Sequence, residues 1–179
     1  MLVAKQKRKK NIAEYILYLY QVEDLIRAFH LDMDVINENL VSRYHVEKNG
    51  KEELSAWYEN LVLMMEKEGR QEKGHLQFLT NLINELNEFH LRLIQNEPVP
   101  VYVAVYKAVA GLLTELKQKN KTADNEVQLA IDGVYGYLLL KIQKKEITPE
   151  TKDAVIRMSN WLSELSRLFK DYEAGDLEF

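Results

Sequence analysis

Glu23 is the side chain whose placement most suggests chemistry. At about 100° per residue it falls between Ile12 and Ile16, on the apolar side of a helix near the amino terminus. A carboxylate there must find a partner, because an unpaired buried charge is very costly. Arg27 stands four residues on, in the orientation that allows an ion pair. The spacing therefore predicts a partly buried Glu23–Arg27 structural pair. Two alternatives stay open: a carboxylate facing an interior cavity as ligand or general base, and a helix turned to a different phase.

His90 shares an apolar arc with Leu79, Leu86 and Leu93. A lone histidine there reads as a core residue hydrogen-bonded to a neighbour rather than as a metal ligand. His75 lies fifteen residues away, about 22 Å along a helix, so the two cannot share a metal. Glu72 and His75 have the Glu-x-x-His spacing of di-iron bundles. Gly74 interrupts it, however, and no second such pair occurs. No metal site is expected. His30 and His45 flank a short second helix and read as surface or hinge residues.

Asp132 stands beside Gly133 and Gly136, away from the main apolar stripe of its helix. Mid-helix glycine costs about 1 kcal/mol relative to alanine, so the pair needs a reason. Close approach of another helix is one. A ligand lying against bare backbone with Asp132 beside it is the other. No P-loop, dinucleotide fingerprint, nucleophile elbow or His-Glu-x-x-His occurs. No cofactor is expected, and the case for an enzyme weakens.

Lys5, Lys7, Arg8, Lys9 and Lys10 crowd what reads as a helix start, where the dipole disfavours cations. A frayed, solvated turn explains the cluster; a dock for an anionic partner, RNA or an acidic protein, is the alternative. No aromatics are interleaved for base stacking, so sequence-specific reading of bases is not expected.

The elements that must carry these groups are helices. With three prolines and seven glycines in 179 residues, long segments run unbroken. Apolar periodicity predicts helices near 4–29, 33–46, 51–68, 75–96, 100–119, 125–145 and 149–171. Asn49-Gly50, Gly69 with Gly74, Glu97-Pro98, Asn120-Lys121-Thr122 and Thr148-Pro149 mark the breaks. Val99–Tyr106 has the valine and tyrosine content of a strand but no second strand to pair with, so it reads as helix. The expectation is all-α, one domain over 1–179, a helical bundle of about seven helices.

Two helices are simply amphipathic. One carries Leu54, Trp57, Tyr58, Leu61, Met64 and Met65, and the other Ala154, Val155, Met158, Trp161, Leu162, Leu165, Leu168 and Phe169. The first, fifth and sixth are apolar around most of their circumference, which predicts a central position or an oligomer interface.

Hydrophobic residues make up 46% and charged residues 29%, with net charge −4 and no cysteine. Disulfides and thiolate chemistry are excluded, and a cytoplasmic protein is expected. Glu14, Glu23 and Asp24 interrupt any signal-like stretch, and Lys107 ends the apolar run from Pro98 far short of a membrane span.

The stretch KQKRKKNIAEYILYLYQVEDLIRA over 5–28 resembles the opening of an uncharacterised bacterial family of helical proteins, domain of unknown function 4924. The resemblance implies an all-α fold and a bacterial cytoplasmic protein. It carries no activity, cofactor or catalytic residue.

The leading functional expectation is a non-enzymatic helical interaction module, self-associating, with a basic first helix against an anionic partner. Its rival is a small-molecule-binding or metal-dependent enzyme with Glu23, His90 and Asp132 around an interior cavity.

Overall fold

The computed structural model describes residues 2–96, 99–119 and 123–177. Eight α-helices follow one another among them: α1 (Leu2–Lys10), α2 (Ile12–Ala28), α3 (Met33–Asn39), α4 (Lys48–Lys67), α5 (Gln77–Asn96), α6 (Pro100–Lys119), α7 (Glu126–Ile142) and α8 (Pro149–Glu173). A 3-10 turn, Val41–Arg43, follows α3. The described residues contain no strand. The breaks expected at Glu97-Pro98 and Asn120-Lys121-Thr122 lie outside the described residues.

The expected first helix is in fact two. Asn11 leaves helical space (φ −156°, ψ 110°) and its side chain accepts from Glu14 N at 3.0 Å, capping α2. This division reverses the electrostatic reading of the basic cluster. Lys7, Arg8, Lys9 and Lys10 occupy the last turn of α1, where the negative end of the dipole favours cations. The expected second helix is likewise shorter, giving way to the 3-10 turn after Asn39.

The 25-residue α8 is the hub, packed against α1, α2, α5, α6 and α7. Thr148 caps it and Pro149 begins it, as the dipeptide predicts. Its inward stripe includes Val155, Met158, Trp161, Leu162, Leu165 and Phe169, and all are buried in one continuous core. In α4, Leu54, Tyr58, Leu61 and Met65 join the same core.

The enclosed position expected for the fifth helix is not found. Only Tyr102, Val109 and Leu113 of α6 are buried, and Val101 is 66% exposed. The helix lies on α8 with one side and leaves the other uncovered. By contrast, α2 and the first half of α7 are enclosed as expected.

Candidate functional site

Glu23 is 1% exposed, yet Arg27 is not its partner. Its Oε2 lies 2.6 Å from His75 Nδ1, and its Oε1 accepts the Leu76 N–H at 2.8 Å. The preceding turn explains how His75 arrives there. At the end of α4, Gly69 takes a left-handed φ of 67°, and Arg70 N donates back to Met65 O at 2.7 Å. This is the glycine-dependent helix termination that turns the chain sharply. Leu76 then opens α5, its carbonyl accepting from Thr80 N. The Glu23 carboxylate thus sits at the positive end of α5, where an anion is favoured.

Arg27 holds the loop instead of the carboxylate. It pairs with Asp24 (2.8 Å), donates Nε to Arg70 O at 3.1 Å and donates Nη2 to Gly74 O. Asp24 in turn accepts from the Tyr135 hydroxyl of α7. The expected Glu23–Arg27 pair is therefore replaced by two interlocked pairs, Glu23–His75 and Asp24–Arg27. One register step on the helix separates the inward acid from the outward one.

Tyr20 stacks flat on the His75 ring, with centroids 3.4 Å apart and planes 7° apart, and Tyr135 meets Tyr20 edge-on. With Nδ1 given to Glu23, the His75 Nε2 makes no hydrogen bond among the described residues, and the side chain is 29% exposed. Asp132 lies within electrostatic reach of both His75 and Tyr20. Burial raises the pKa of Asp132, with the His75 ring opposing. Glu23 and Asp132 thus both lie near His75, while His90 lies elsewhere. Among the described residues no three His, Asp or Glu side chains converge as a metal site.

His90 belongs to a second network, joining α5, α6, α7 and α8. It is 1% exposed, and its Nδ1 lies 2.6 Å from Tyr102 Oη, which also accepts the Trp161 Nε1–H at 3.0 Å. Indole nitrogen only donates, so the Tyr102 proton is left for His90 Nδ1, and the ring proton belongs on Nε2. That edge points at Glu126 Oε2, 3.8 Å away, which also accepts from the Tyr106 hydroxyl at 2.8 Å. This is the hydrogen-bonded core histidine that the apolar arc predicts.

His90, and then the Tyr106 hydroxyl, hold the Glu126 carboxyl below its ordinary value of 4.5. A depressed folded pKa gives stability that is present above the unfolded value and lost as pH falls through the folded one. Glu126→Gln is expected to flatten the acid side of the stability profile by lowering stability at neutral pH while leaving the value near pH 3 nearly unchanged. Urea midpoints measured from pH 7 down to pH 3 would check this.

The two mid-helix glycines of α7 part company. A methyl on Gly133 would lie 3.0 Å from Met158 Cε, so this glycine admits α8, as the groove reading has it. A methyl on Gly136 would meet nothing within 4 Å. Gly136→Ala is therefore expected to raise unfolding free energy by about 0.5–1 kcal/mol, readable in a chemical melt. Gly133→Ala should gain less, since the Met158 tip must shift.

The basic residues are partly spent inside the molecule. Arg8 forms a two-pronged pair with Glu173 (2.7 and 3.0 Å), and Lys7 reaches Glu14 at 3.5 Å. Lys5, Lys9 and Lys10 are exposed and make no ion pair among the described residues. His30 and His45 are exposed, His30 in a left-handed turn (φ 54°) after α2.

The outward side of α6 is the remaining feature. Val101, Ala104, Ala108, Gly111 and Glu115 share it at three- and four-residue steps, and all are exposed. Between this stripe and α8 runs an open groove of about 440 Å³, which Ala108, Gly111 and Ala154 help to line.

Sequence reasoning missed His75 as the partner of Glu23. The Gly69–Gly74 turn announces a sharp loop, but nothing local states that it folds back onto α2.

The chain belongs to the family described as Domain of unknown function (DUF4924), whose family model matches residues 1–176. No curated protein and no solved structure is similar enough to count as a match. Among the described residues no single helix is long and apolar enough to cross a membrane.

Proposed function

We propose that this member of the family is a non-enzymatic helical interaction module that self-associates through the outward side of α6. The observation that carries the reading is the exposure of Val101, Ala104, Ala108 and Gly111 on a helix whose sequence is apolar nearly all round. Apolar surface aligned along one helix face marks an interaction site more often than scattered single residues do. Lys5, Lys9 and Lys10 of α1 supply a basic edge for an anionic partner, an acidic protein surface or RNA.

Sedimentation equilibrium tests the first part, and titration with RNA or an acidic protein at rising salt tests the second. Reversible dimers and binding that weakens with salt are the expected results. A monomer at high concentration with no salt-dependent binding sinks the reading.

A second reading, a small-molecule site, is favoured by the His75 Nε2, without a hydrogen bond among the described residues, near Asp132, with the other ring nitrogen fixed on a buried carboxylate. A ring oriented in this way can accept a proton or a hydrogen bond from a bound molecule. A thermal-shift screen of small amines and carboxylic acids on wild type and His75→Asn tests it. Stabilisation confined to the wild type supports the site, and its absence removes it.

A further inference from the structure

The geometry of α6 points to one occupant for its uncovered side: the same helix of a second copy, antiparallel, with the two-fold axis passing at Gly111. This inference rests on the interaction-module reading and adds the partner and the register.

A closed dimer uses the same patch on both copies, so the patch must be complementary to itself. Three observations meet that condition at Gly111. First, a methyl there would meet nothing within 4 Å, so backbone is laid bare at this point of the helix. Small residues let two helices approach closely, and Ala108 stands one turn away on the same side. Second, the groove of about 440 Å³ lies alongside, so an approaching helix does not strike α8.

The third observation concerns charge. Lys107 and Glu115 lie four residues to either side of Gly111, which is about 6 Å along the axis in each direction. In an antiparallel pair centred on Gly111, Lys107 of one copy stands level with Glu115 of the other, and the reverse holds at the other end. Both residues are exposed, and neither makes an ion pair among the described residues. A parallel pair would set Lys107 against Lys107 and Glu115 against Glu115. Charge therefore selects the antiparallel arrangement, as like charges across an interface suppress wrong pairings.

Charge reversal tests the register. Sedimentation equilibrium would be run on Lys107→Glu, Glu115→Lys and the double reversal, with Gly111→Leu and Ala108→Arg beside them. All four sites are exposed, and circular dichroism would verify folding of each variant. Each single reversal is expected to weaken association at least about tenfold, and the double reversal to restore it. Gly111→Leu should abolish it by holding the backbones apart.

If the single reversals leave the dimer intact while Ala108→Arg destroys it, the face is right and this register is overturned. If the double reversal stays as weak as the singles, the Lys107–Glu115 pairing is overturned. Wild-type protein that remains monomeric, with Ala108→Arg indistinguishable from it, overturns the self-association reading as well.

Discussion

Glu23→Ala is expected to lower the free energy of unfolding by about 2–4 kcal/mol. The side chain is almost wholly buried, and its two oxygens serve the Leu76 N–H and His75 Nδ1. Truncation orphans both donors and opens a void against Tyr20 and the start of α5. Removing one member of a fully buried pair costs about 3–5 kcal/mol; His75 is partly solvated, which lowers the figure. For a chain of this length the melting temperature should fall by roughly 5–15 °C. Glu23→Gln keeps the shape and one acceptor, so its loss should be smaller. Urea unfolding of both variants checks the argument. A loss for Glu23→Ala within the ordinary surface range, about 0.5 kcal/mol, would contradict it.

Tyr102→Phe removes a single oxygen and is expected to cost about 2–5 kcal/mol, because that oxygen serves two buried groups at about 1–3 kcal/mol each. Trp161 Nε1–H loses its acceptor and His90 Nδ1 its donor, with no solvent near either. The two losses share one atom, so they are not independent. Trp161→Phe made on top of Tyr102→Phe should cost less than Trp161→Phe made alone, since the indole donor is then already orphaned. A double-mutant cycle by chemical unfolding measures that difference. Strict additivity would mean that the Tyr102 hydroxyl does not join the two side chains energetically.

The His90 network shows how far local pattern reaches. An apolar arc on α5 announces that His90 is inside, and burial of a polar ring demands a partner. Which partner is a question about α6, α7 and α8 together, since Tyr102, Glu126 and Trp161 come from three different helices. The Glu23 site repeats the lesson with a sharper consequence. Arg27 satisfies the i, i+4 rule for Glu23, yet it turns outward to Asp24 and to the carbonyls of Arg70 and Gly74.

Local sequence thus determined that the chain is helical, roughly where most helices run, and the inward stripe of the plainly amphipathic ones, α4 and α8. A 3.6-residue periodicity is printed in the chain, and caps and breakers such as Thr148-Pro149 act within a turn of themselves. It also singled out Glu23 and His90 as groups in need of partners. Tertiary structure alone decided what those partners are. His75 lies 52 residues from Glu23 and reaches it only because the Gly69 turn reverses the chain. The same holds for α6. Its composition says that most of its surface is apolar, but which side α8 covers, and which side is left open, is set by the packing of whole helices. Burial is a property of the assembled molecule, and no single helix contains it.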